Sequence, residues 1–216
     1  MDVIQKITEI GQYMIENWAH LLSLTFDHIL MVLYGMVLAA VVGISLGIVC
    51  AKFEKVAPII LSIANIIQII PSLALLSIIM LYFGLGFTTV VIGLFLYSLL
   101  PIIRNTYVGL KEVDGHVSEA GKGIGMTPFQ LLYKIQIPLA LPFMMAGVRI
   151  ATVIAVGVAS IAPFVGGDGL GREIVSGINS RNETMIYAGA IPAAILAVLA
   201  DLILGKLEKR QKNKIA

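Results

Sequence analysis

The 216-residue chain reads as an all-α integral membrane protein, with five membrane-crossing helices and an amphipathic helix ahead of them. Three observations predict this. Apolar residues make up 58% of the chain and charged residues 13%, with mean hydropathy +0.96; soluble domains average about 25% charged. Apolar runs that reach the roughly 20 residues a bilayer demands recur along the chain. Lysine and arginine are sorted by loop rather than spread over one face, the pattern that marks the cytoplasmic side of membrane proteins.

Residues 1–26 form an N-terminal segment. It lacks the basic start and apolar core of a signal peptide. Ile7, Ile10, Met14 and Trp18 recur at three- and four-residue steps, while Asp2, Lys6, Glu9, Gln12 and Glu16 fall elsewhere. That periodicity predicts an amphipathic helix. It suits a membrane surface with Trp18 at headgroup level, or a partner subunit, equally well.

The membrane domain is 27–207, with spans at about 29–51, 57–83, 88–103, 139–165 and 185–207. In the first span Gly35, Ala39, Gly43 and Gly47 repeat every fourth residue, which predicts a face for close helix approach. The second is interrupted at Pro71, which frees the carbonyl of Ile67. Asn65, Gln68 and Ser72 lie near that break on roughly one face. Polar groups at this depth must face protein or a wet path, so Asn65, Gln68, Pro71 and Ser72 are candidates for lining a translocation path. Hydrogen bonding that repairs the kink is the competing account. The third span ends at Pro101 and Arg104. The fourth carries Arg149 far inside, with Ala151, Ala155 and Ala159 stepping by four; a buried arginine there calls for an acid or carbonyl partner. Residues 166–184 form a glycine-rich external loop with Asp168, Arg172, Glu173, Arg181 and Glu183. In the last span Gly189, Ala193, Ala197, Asp201 and Gly205 share one stripe, which turns Asp201 toward protein. Residues 208–216 form a basic tail suited to an anionic membrane surface.

Between the third and fourth spans lies the most ordered loop of the chain, 112–138. Asp114 can cap a first short helix, and Gly121, Gly123 and Gly125 offer left-handed stops after it. Thr127, Pro128 and Gln130 make a capping box with proline at the first helical position. Glu119-Ala120-Gly121, then Gly125, then Ile135 and Ile137-Pro138 match the E-A-A, three residues, G, nine residues, I-x-L-P pattern, with glycine for the second alanine and isoleucine for leucine. On these residues the chain resembles membrane permeases of ATP-binding-cassette importers of the type I (MetI-like) fold. Ile69-Ile-Pro71-Ser72, Leu96 to Tyr107, Ala146-Gly147-Val-Arg149 and Gly166 to Gly171 extend the resemblance to permeases for quaternary-ammonium osmoprotectants such as glycine betaine, carnitine and choline. The same family at another small solute is the alternative.

The resemblance implies that Glu119, Ala120, Gly121, Gly125, Ile135 and Pro138 couple the membrane domain to an ATPase. It implies as partners a cytoplasmic ATPase dimer that holds ATP and magnesium, a second permease subunit, identical or homologous, and an extracytoplasmic binding protein. No cofactor is expected in this chain. The stretch 115–123 misses the phosphate-loop spacing, and Gly123 stands where a magnesium-binding hydroxyl belongs. His20, His28 and His116 have no metal-ligand spacing, Cys50 is alone, and no nucleophile and base are placed together, so catalysis, metal and nucleic acid are not expected. A secondary transporter calls for repeated halves, which are not seen; a passive scaffold leaves the motif spacing without purpose. Lys52, Lys55, Arg104, Lys111, Lys122, Lys134, Lys206, Lys209, Arg210, Lys212 and Lys214 fall on one side, against Lys6, Arg172 and Arg181 on the other. That places the C-terminus and 112–138 inside a bacterial cell membrane and the N-terminus outside.

Overall fold

The computed structural model describes residues 3–213; Asp2 and Lys214, assigned above to the N-terminal helix and the tail, lie outside them. The elements in order are α1 (Val3–Glu16), α2 (Trp18–Lys52), α3 (Ala57–Ile69), α4 (Ser72–Phe83), α5 (Phe87–Lys111), α6 (Gly115–Gly123), α7 (Pro128–Leu131), α8 (Ile137–Ala159), α9 (Gly171–Ser180) and α10 (Glu183–Lys212). A π-turn over Leu132–Gln136 joins α7 to α8, and a 3-10 turn over Ala162–Val165 follows α8. Four helical runs are long and apolar enough to cross a membrane, and α3 with α4 makes a fifth, bent by 99° at its break.

The helix α5 is the axis of the bundle, packed by α2, α3, α4 and α8. The glycine stripe of α2 lies on it. A side-chain carbon at Gly35 would stand 2.7 Å from Leu94 Cβ, at Gly43 2.8 Å from Ile102 Cγ2, and at Gly47 2.5 Å from Thr106 Cβ. Glycine here sets the interaxial distance, and close contact along the stripe stabilises the pair in lipid. Ala151, Ala155 and Ala159 on α8 are fully buried against Met31, Met36, Leu94 and Ile102, which form the main core.

Several boundaries differ from the sequence reading, each for a local reason. The helix carrying the first span starts at Trp18, because Asn17 breaks the chain with φ −106° and ψ 18° and the helix resumes at once. The predicted apolar face of α1 is split. Ile10 and Met14 are half-buried, whereas Ile7 and Trp18 are exposed together with Ile4, Ile15, Leu22 and Phe26. Polar contacts hold α1 in place: Lys6 pairs with Glu183, and Tyr13 donates to Glu173. Burial, then that bond, push the Tyr13 hydroxyl up to about 12.

The third span does not stop at Pro101 or Arg104; α5 runs on to Lys111 with Pro101 inside it. The fourth helix ends at Ala159, short of 165, and the loop 166–184 contains α9. Glu173, read as a loop residue, is 3% exposed. It accepts from Tyr13 and lies 3.4 Å from His20 Nε2. The last helix covers 183–212, so the basic tail as far as Lys212 continues it rather than leaving it.

Candidate coupling site

Residues 112–136 fold as a compact foot under the bundle. Asp114 caps α6 by accepting from the His116 amide at 2.8 Å. At its other end the Met126 amide donates to Gly121 and the Gly125 amide to Lys122, the paired bonds of a Schellman stop. Only Gly125 takes the left-handed conformation, at φ +85°; Gly121 and Gly123 are helical, which corrects the reading of three glycine stops. Thr127 and Gln130 close both bonds of the capping box on α7.

The second short helix is not separate from the fourth span. It passes through the π-turn, where the Ile137 amide reaches back to Leu132, into α8, a single helical run from Pro128 to Ala159. Pro138 cannot donate to the turn before it, and a wider turn next to a proline accommodates that missing bond. The foot is therefore the N-terminal end of a membrane helix.

The motif residues divide into two sets. Gly121 is buried inside the foot, where a side-chain carbon would stand 2.8 Å from Leu131 Cδ1 and 3.1 Å from Ile135 Cδ1. Gly121 and half-buried Ile135 thus meet, and the small residue serves α6–α8 packing rather than an outside contact. Glu119 and Ala120 are exposed on the outer side of α6; Gly125 and Pro138 are exposed at the turn and at the start of α8. Beside them stand apolar side chains the sequence reading passed over: Ile124 is 76% exposed, and Phe129 and Tyr133, also exposed, stack at 6.2 Å with rings 4° from parallel. Their spacing of four on a helix was the available signal.

At the other candidate site, Ile70 and Pro71 are extended, with ψ 127° and 135°, between α3 and α4. Proline disfavours helix at the residue before it, which opens the bend. The carbonyl partnered at the break is that of Ile70, which accepts from the Tyr97 hydroxyl. Gln68 Nε2 donates to the Tyr97 carbonyl at 3.5 Å. Pro101 on α5 has no amide to give that carbonyl, so the glutamine occupies a vacancy one helix away. Asn65 and Pro71 are exposed and Ser72 is half-buried. Arg149 and Asp201, singled out separately, meet in a bidentate pair at 2.6 and 2.8 Å, and Glu208 adds a third member at 3.3 Å. The trio ties α8 to α10.

Residues 43–213 match the family described as binding-protein-dependent transport system inner membrane component. The chain is 48% identical over 210 residues to the glycine betaine/carnitine/choline transport system permease protein OpuCD of Bacillus subtilis (strain 168), spanning 97% of this chain and 90% of that one. It is 49% identical to the carnitine transport permease protein OpuCD of Listeria monocytogenes serotype 1/2a (strain 10403S), over 97% of this chain and 93% of that one. Its fold is similar to a chain of the MetNI methionine ABC transporter in inward-facing conformations, with TM-score 0.79 and 21% identity, over 88% of this chain and 95% of that one.

Proposed function

Because the chain belongs to the family of inner membrane components of binding-protein-dependent transport systems, we propose that it is the permease subunit of an ATP-driven importer for quaternary-ammonium osmoprotectants. Relatives named for glycine betaine, carnitine and choline, at 48 and 46% identity, support that solute class. The subunit works beside a second permease, receives solute from an extracytoplasmic binding protein, and borrows ATP and magnesium chemistry from a cytoplasmic ATPase dimer. In a bacterial cell membrane its foot and C-terminus face the cytoplasm.

The observation that carries the mechanism is the division of the motif. Glu119 and Ala120 stand outside with Ile124, Phe129 and Tyr133, a charged and apolar surface open to a partner. Gly121 and Ile135 lock α6 onto the helix that becomes α8. A push on the outer surface therefore turns a rigid lever, and α8 carries the motion to α5 and α10, which it packs against. Alternating access follows when closure of two ATPases moves two such feet together. The break at Asn65, Gln68, Pro71 and Ser72 lines the path, with the Gln68 amide holding its shape.

Glu119→Lys tests this reading. The exposed charge has no partner within the described residues whose loss would unfold the foot. The variant is expected in the membrane at normal level, with its ATPase lost on purification or hydrolysing without uptake. Unchanged uptake in cells overturns the coupling role. Mass spectrometry of the native complex identifies its subunits and bound solute.

A further inference from the structure

A cavity of about 340 Å³ lies where the inner ends of α2 and α5 meet the α7 turn. That size falls within the range of small-molecule sites. Ile48, Ala51, Leu110 and Leu132 line its apolar part, and Lys52 and Lys111 its rim. Both lysines are the last residues of their helices, so they stand at the level where lipid headgroups begin. Lys111 pairs with Glu54 across the α2–α3 turn, whereas Lys52 makes no ion pair among the described residues.

We propose that this cavity holds the headgroup of an anionic phospholipid, its phosphate between Lys52 and Lys111 and its first methylenes on Ile48, Leu110 and Leu132. The chemistry favours an amphiphile. A soluble phosphate leaves the apolar wall uncovered, and a neutral lipid leaves Lys52 unanswered. Basic pockets between membrane helices on the cytoplasmic side are suited to such headgroups. The surface assigned above to the ATPase meets the cavity only at Phe129; Glu119, Ala120, Ile124 and Tyr133 do not line it. A bound headgroup contacts α2, α5 and the α7 end of the foot at once, so it fixes the hinge on which the foot turns. This rests on the coupling reading for its consequence, not for the site itself.

The test uses the full chain in vesicles, with Trp18→Phe to remove the single native tryptophan and Phe129→Trp to place a reporter on the cavity wall. Dibrominated phosphatidylglycerol in a phosphatidylcholine host is compared with dibrominated phosphatidylcholine at equal content. Preferential quenching by the anionic lipid is expected, weakened roughly fivefold in relative affinity by Lys52→Gln and by Lys111→Gln. Lys52→Arg keeps the preference. Equal quenching by the two lipids overturns the proposal, as does a preference indifferent to both lysines. Relief by inorganic phosphate assigns the site to a soluble anion and also overturns the proposal. Quenching is read without regard to sidedness or transport, so failure here leaves the importer reading standing, and failure of that reading leaves the lipid site standing.

Discussion

Gly47 has no room for a side chain. A Cβ there would sit 2.5 Å from Thr106 Cβ and 3.0 Å from the Ile103 carbonyl, and a backbone atom cannot swing away. Gly47→Val must push α2 off α5, with the overpacking cost of about 1–3 kcal/mol. Gly11 in α1 is the opposite case, with nothing within 4 Å of its Cβ position. Gly11→Ala is expected to stabilise by about 0.5–1 kcal/mol through helix propensity. Thermal unfolding in detergent separates the two: a fall for Gly47→Val, and a small rise or no change for Gly11→Ala. Equal tolerance at both positions would remove the packing role from the α2 stripe. That stripe was legible from spacing alone, since residues four apart share a helix face. Its facing partners Leu94, Ile102 and Thr106 were not, because spacing on one helix names no position on another; likewise Arg149 and Asp201 were each conspicuous as charges in apolar spans, and only the fold brings them within 2.6 Å.

At the level of elements, the α3–α4 break separates two roles that the sequence left open. Gln68 is tied to the Tyr97 carbonyl, whereas Asn65 is exposed and makes no side-chain hydrogen bond among the described residues. Gln68→Leu leaves a carbonyl unpaired and is expected to cost about 1–3 kcal/mol, with uptake falling as stability falls. Asn65→Leu is expected to leave stability unchanged and still reduce uptake. Full uptake with Asn65→Leu would take α3 out of the path and leave only kink repair. Caps and stops were readable in the foot because Asp114, Thr127 and Gln130 act within a few residues. Its continuity with α8 was not, because a proline at 138 reads as a boundary and only the π-turn shows the chain absorbing it. For the same reason Pro101 misled: a neighbouring helix supplies the missing donor.

For the whole molecule the deciding quantity is the number of crossings, and the bent pair of 99° decides it. If α3 and α4 dipped in and returned, the turn at Gly84 and the turn at Glu54 would share a side. The contacts of α5 exclude this. At one end the Gly86 amide donates to the Val165 carbonyl at 2.9 Å, in the 3-10 turn after α8. At the other, Lys111 pairs with Glu54. So α5 joins the side of the α2–α3 turn to the opposite side, and α3 with α4 must have made the reverse trip. Five crossings put the ends of the described chain on opposite sides; four would put them together. Single cysteines at Gln5, Ser118, Asn182 and Gln211, in a Cys50→Ala background, are to be labelled in intact cells with a thiol reagent that cannot cross the membrane. Gln5→Cys and Asn182→Cys are expected to react at once, and Ser118→Cys and Gln211→Cys only after the membrane is opened. Labelling of Gln5→Cys and Gln211→Cys from the same side would make the bent pair re-entrant and break the parity. Labelling of Ser118→Cys from outside would put the foot beyond the reach of any cytoplasmic ATPase, and with it the lever that joins Glu119 to α8.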